Sequence, residues 1–173
     1  EIMNEKQIKA SFSGDFLKLN DGNVAHFIAN YSPELFEKLL SKIENLDTIS
    51  RLQILQERSL LARGGQVSST DLLKTLQFYR GENALNVWDM MNILIGDLKI
   101  FVDENSQTES RMKNFVGNLA KNQFEKLGFS PKNGESEDET QLRSSILGHM
   151  VYAENPEVVA RALEIFAKNE NDL

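Results

Sequence analysis

The chain has 173 residues, of which 40% are apolar and 26% charged, enough for one sizeable core. Its formal net charge is −7, which argues against a nucleic-acid partner because phosphate binding needs a basic face. It has no cysteine, which excludes disulfides and thiolate metal sites and fits a reducing cytoplasm, and no apolar run approaches the roughly 20 residues of a membrane span.

In chain order, Glu1-Ile2-Met3-Asn4-Glu5-Lys6 lacks the apolar core of a secretion signal. Ile8, Ala10 and Phe12 then alternate with polar residues, Phe16 to Leu19 follows, and Asn20-Asp21-Gly22-Asn23 marks a turn before Val24 to Tyr31. This pattern predicts two or three short strands with an Asp-Gly turn. A strand pair alone is marginal in water, so these strands should lie on a helical body or complete a sheet.

From Ser32 the apolar period becomes helical, about 3.6 residues. Ser32-Pro33 opens the first helix, carrying Leu35, Phe36, Leu39, Leu40 and Ile43. Asp47 or Thr48 caps a second, which stops at Gly64-Gly65. Ser68 with Asp71 forms a capping-box pattern for a third, ended by Gly81. A longer apolar helix runs from Asn83 to about Val102, and a fifth from Thr108 to Leu127 is closed by Gly128. Ser136 and Glu139 open a sixth as a second capping box, and Asn155-Pro156 opens a seventh. Seven helices with short loops favour antiparallel neighbours, and consecutive pairs suggest a layered, solenoid-like, HEAT-like arrangement, although no sequence repeat is visible. The fold class expected is therefore mainly α, with two or three short N-terminal strands.

Catalytic constellations are missing from the sequence. Zinc peptidase chemistry needs His-Glu-x-x-His on a helix, and the two histidines, His26 and His149, are too far apart to share a turn. His149 on an apolar face reads as a satisfied core histidine. No serine lies in Gly-x-Ser-x-Gly, and the glycines form no phosphate-cradling loop. The acidic run Glu135 to Glu139 reads as a helix N-terminus, where negative charge favours the dipole. Trp88, Phe101, Phe115, Phe124 and Phe166 read as core, and Arg51, Arg58, Arg63 and Arg80 as surface.

Leu127-Gly128-Phe129-Ser130-Pro131-Lys132-Asn133-Gly134-Glu135, with Leu142-Arg143 opening the next helix, resembles the C-terminal helical domain of the aminopeptidase N family of zinc peptidases. Tyr31 to Leu40 is similar to the junction where that family's last β-sandwich strand enters its first C-terminal helix. Ser59 to Gly65 and Val87-Trp88 match in order and spacing. Ala25 to Ala29 stands where Gly-x-Tyr-Arg-Val is usual, as in the lactic-acid-bacterial branch. The resemblance implies that residues 1–31 end a β-sandwich domain and residues 32–173 are a C-terminal α-helical domain. It implies a parent enzyme that removes N-terminal residues from peptides with a zinc-activated water, and a helical domain that closes over the catalytic one and admits peptides. The zinc ligands, catalytic glutamate and Gly-Ala-Met-Glu-Asn segment have no counterpart here, so the chain alone should be inactive. Relatives place basic residues on the inner wall toward the far end of the peptide; Arg143, and secondarily Lys99, occupy matching positions. A guanidinium suits a peptide carboxylate, whereas Glu139 or Glu135 would instead pair Arg143 locally.

Two readings stay open. One is a cytoplasmic zinc aminopeptidase's helical domain, whose partners are the catalytic and β-sandwich domains and the peptide substrate. The other is an independent helical scaffold with a peptide- or protein-binding groove. The first predicts an apolar patch without a partner.

Overall fold

The computed structural model describes residue 9 and residues 11–169. Among these residues seven α-helices follow one another: α1 Pro33–Leu40, α2 Thr48–Arg63, α3 Ser69–Leu76, α4 Leu85–Lys99, α5 Gln107–Leu127, α6 Glu137–Tyr152 and α7 Pro156–Asn169.

The helix ends are chemically specified. Ser32 Oγ accepts from the Leu35 amide, and Asp47 Oδ1 accepts from the Ser50 amide at 2.9 Å. Both expected capping boxes form, at Ser68–Asp71 and Ser136–Glu139. In each, the serine accepts the third helical N–H while the acid accepts the serine's own. At the end of α2, the Gly65 amide donates to the Ala62 carbonyl and the Gln66 amide to that of Leu61, with Gly65 at φ 70°. This is a Schellman closure, and it explains the glycine. Gly128 closes α5, as its position after Leu127 predicts, but outside the left-handed helical region. Its φ is 72° but its ψ is −174°, an extended region that is essentially open to glycine alone.

α4 lies at the centre, packing against α2, α3 and α6. Its Val87, Trp88, Met91, Leu94 and Ile95 are at most 1% exposed. α5 packs on α6, and α6 on α7. Gly117 permits the close α5–α6 approach, because a Cβ there would lie 2.9 Å from that of Ala153.

Trp88 is buried as expected, and Phe115 and Phe124 pack partly buried against the core. Phe101 and Phe166 are not core: they are 75% and 58% exposed. Phe101 lies beyond the end of α4, and Phe166 on the outer side of α7, so helical spacing alone misplaces them.

The expected N-terminal strands are absent among the described residues; Ile8 and Ala10 of the first lie outside them. A 3-10 turn at Asp21–Asn23 stands at the Asp-Gly position. The Asn20 side chain brackets it, accepting from the Ala25 amide at 2.8 Å and donating to the Ala25 carbonyl at 2.7 Å. The segment is tied to the helices by Lys18 Nζ, which donates to Gln53 Oε1 at 2.6 Å. Val24, Phe27 and Ile28 remain 89%, 50% and 50% exposed. Alternating residues form a ladder only beside another strand, and none is adjacent among the described residues.

Candidate functional site

The functional side chains proposed from sequence sit at two places on α4 and α6. Lys99, in the last turn of α4, holds its Nζ 3.4 Å from the centre of the Tyr152 ring, a cation–π contact. Burial pulls the ammonium below the ordinary lysine value, and no carboxylate among the described residues pairs with it. Arg143 lies nine residues before Tyr152 on α6, roughly 13 Å along the helix axis. The two cations are thus separate.

Arg143 is 3% exposed. It forms a salt bridge with Glu135, whose side chain is 6% exposed. Glu139, the alternative partner one turn away, is engaged with Ser136, whose amide and hydroxyl hold the carboxyl below its usual value. Arg143 therefore anchors the loop between α5 and α6 from beneath.

Between these two places lies a polar seam joining α4 to α6. Asn92 Nδ2 donates to Ser145 Oγ at 2.9 Å, and Asn92 Oδ1 lies 2.6 Å from His149 Nε2. An amide oxygen only accepts, so Nε2 carries the proton and Nδ1 is bare. Burial, then the nearby Lys99 charge, push His149 down from 6.5 to about 4. It is neutral at ordinary pH, and its ring packs 5.8 Å from that of Trp88. His149 is the satisfied interior histidine that its apolar surroundings predict.

A further ion pair was not visible from sequence. Arg51, a surface residue on the sequence pattern, instead donates from Nε and Nη2 to the two Glu82 oxygens at 2.7 and 2.9 Å. Glu82 Oε1 also accepts from the Asn83 and Ala84 amides at 2.9 Å each. Its main-chain oxygen takes the Trp88 indole N–H at 2.9 Å. The carboxylate thus serves the start of α4, whose N-cap Ala84 has no capping side chain. Arg58 is also not a plain surface residue: its guanidinium lies 4.1 Å over the Phe36 ring. Arg63 does lie at the surface, paired with Asp97 at 3.0 Å.

These residues do not fit a zinc centre. Among the described residues no group of three His, Cys, Asp or Glu side chains lies close enough together to hold a metal ion. His149 spends its one N–H on Asn92, and His26 is exposed. No helix of the described residues is long and apolar enough to cross a membrane.

An all-helical domain built from capped helices around one central helix is the class that fold and site define. Residues 16–173 match the family model of the ERAP1-like C-terminal domain, and the chain belongs to that family. The Aminopeptidase N of Lactococcus lactis subsp. lactis (strain IL1403) is 38% identical over 173 residues, covering all of this chain and 20% of that protein. The Aminopeptidase N of Lactobacillus helveticus is 33% identical over 180 residues, again covering the whole chain and 21% of the relative. The mitochondrial Aminopeptidase 2 of Saccharomyces cerevisiae is 24% identical over 152 residues, 87% of this chain and 16% of that protein. The chain spans about a fifth of the length of the bacterial relatives it matches.

Proposed function

We propose that the chain is the helical part of a zinc-dependent aminopeptidase that removes N-terminal residues from peptides, and that it shapes peptide access without supplying a catalytic group. The observation that carries this reading is the 38% identity running along the whole chain and matching one fifth of an Aminopeptidase N. The zinc and the reacting groups would belong to the rest of the parent, of which the chain matches one fifth. An acidic, cysteine-free composition suits a cytoplasmic parent.

Residues 1–31 would then end a β-sandwich domain and residues 32–173 form the helical one. The successive packing of α2 on α4 and α4 on α6 suits a layered, solenoid-like wall. The exposed Val24, Phe27 and Ile28 supply the unpartnered apolar surface that a neighbouring domain would cover. Lys99 offers its ammonium to the far end of a peptide. Arg143 acts through Glu135, fixing the loop before α6.

The test is a chimera. The matching segment of the Lactococcus lactis Aminopeptidase N is replaced by this chain, and hydrolysis of peptides and aminoacyl-arylamides is measured. A folded chimera that keeps peptide hydrolysis supports the reading; a folded chimera inactive on both substrates overturns it. The chain alone, with added zinc, should hydrolyse neither.

A further inference from the structure

The loop between α5 and α6 carries the one Asn-Gly pair of the sequence, Asn133-Gly134. The Glu135 amide donates to the Lys132 carbonyl, so Asn133 and Gly134 are the central residues of a β-turn. Both are exposed. Among the described residues no acceptor takes the Gly134 N–H, and nothing bonds the Asn133 side-chain amide. The turn stands between two tethered flanks. Lys132 Nζ donates to the Lys126 carbonyl on one side, and Glu135 pairs with Arg143 on the other. Other asparagines are differently placed. Asn20 spends its amide on the Ala25 main chain, and Asn155 accepts from the Val158 amide and precedes a proline. Asn92 in α4 and Asn114, Asn118 and Asn122 in α5 precede amides committed to helical hydrogen bonds. Asn105 is the nearest rival, and the residue after it is a serine with a Cβ.

We infer that Asn133 is a self-modifying site, which converts to isoaspartate and aspartate with water as the co-reactant. The Gly134 nitrogen gives up its proton to solvent base and attacks Asn133 Cγ. The N–Cγ bond forms, the Cγ–Nδ2 bond breaks, and the side-chain nitrogen takes up protons and leaves as ammonia. Water then opens the cyclic imide. Addition at the main-chain carbonyl leaves isoaspartate, and addition at the side-chain carbonyl leaves aspartate; nothing is oxidised or reduced. Three features of the loop favour the attack. Gly134 has no Cβ to crowd the ring-forming nitrogen. Its N–H has no hydrogen bond to break first. Exposure supplies both base and water. Either product adds a negative charge to a loop that already holds Glu135, Glu137 and Asp138. The inference stands on this loop alone and does not depend on the parent's activity.

The experiment incubates the full chain at mildly alkaline pH and follows it by peptide mapping in a mass spectrometer, with electron-transfer fragmentation to tell isoaspartate from aspartate. Conversion of Asn133 should be the first change in the chain, ahead of Asn105, with isoaspartate the larger product. Native isoelectric focusing should show a more acidic form growing at the same rate. Asn133→Gln should abolish that form, because the larger ring closes far more slowly. Gly134→Ala should slow the conversion, although Gly134 at φ 79° makes alanine strained there. Asn133→Gln, at an exposed position, keeps the test valid if that second variant misfolds. A parallel incubation in urea gives the unfolded rate, and the folded rate should lie within roughly tenfold of it, since no protecting structure has to open. An intact Asn133 while other asparagines react, a folded rate further below the unfolded one, or the same acidic form in Asn133→Gln would each overturn the assignment.

Discussion

Arg51 on α2 and Glu82 before α4 form a two-point hydrogen bond, 2.7 and 2.9 Å, across 31 residues of chain. The Glu82 side chain is 1% exposed and that of Arg51 15%. The pair locks α2 to the entry of α4 while the same carboxylate accepts two backbone amides that no cap serves. Breaking a buried pair leaves one charge without compensation, which costs about 3–5 kcal/mol. Glu82→Ala removes the charge partner and both amide contacts, so it should fall at the upper end. Arg51→Met keeps the amide contacts to Glu82 and should cost less. Urea unfolding of the two variants gives the order; equal losses, or losses below about 1 kcal/mol, would show that Glu82 is not the organiser of this junction.

Arg143 and Glu135 make the second buried pair, and it decides how α6 is presented. Truncating either alone should again cost about 3–5 kcal/mol. Replacing both by well-packed apolar residues, Arg143→Met with Glu135→Leu, should recover most of it. A full double-mutant cycle in urea measures the coupling. Additive losses would mean the two side chains act independently, and the loop would then be held by something else.

The helix pattern was legible because its signals are local. Ser68 with Asp71 and Ser136 with Glu139 stand three residues apart, so the same few atoms that specify the cap are adjacent in sequence. The pairing of Arg51 with Glu82 is not local. Nothing near Arg51 distinguishes it from the exposed Arg63, and only the packing of α2 on α4 brings the carboxylate to it. The seam through Asn92 and His149 has the same character, spanning 57 residues. The N-terminal strands failed for the opposite reason. Alternation from Val24 to Tyr31 records a preference for a sheet, but hydrogen-bonded ladders need a neighbour, and the Asn20 side chain takes over part of that bonding instead.

Ser136 bonds the Glu139 amide at 3.2 Å, while Glu139 Oε2 accepts from the Ser136 amide at 3.0 Å. Ser136→Ala should destabilise by about 1 kcal/mol, and Ser136→Asp, which also caps, should be close to neutral. Thermal unfolding of both variants checks this. Equal destabilisation by the two would assign the loss to something other than the cap.

His149 makes stability depend on pH in a defined window. Its value is about 6.5 in an unfolded chain and about 4 in the folded one, lowered first by burial and then by Lys99. Between those values the unfolded chain binds the proton and the folded one does not. The neutral ring's contribution is therefore complete above about pH 6.5 and is lost progressively as pH falls toward 4. Among the described residues no carboxylate bonds to the ring: the charged or titratable groups around it are Lys99 from α4, Tyr152 from α6 and, beside Tyr152, Glu109 and Lys113 from α5. A shift of this size corresponds to at most about 3 kcal/mol. Asp47, Asp71 and Glu139 also hold their carboxyls below the usual range through cap hydrogen bonds. Their contributions are lost at more acidic pH, which leaves the interval from 6.5 to 5 to His149. Urea midpoints measured across that interval should fall for the native chain, whereas in His149→Gln, which keeps a side-chain donor for Asn92, they should stay nearly level. Parallel curves for the two proteins would exclude His149 as the source.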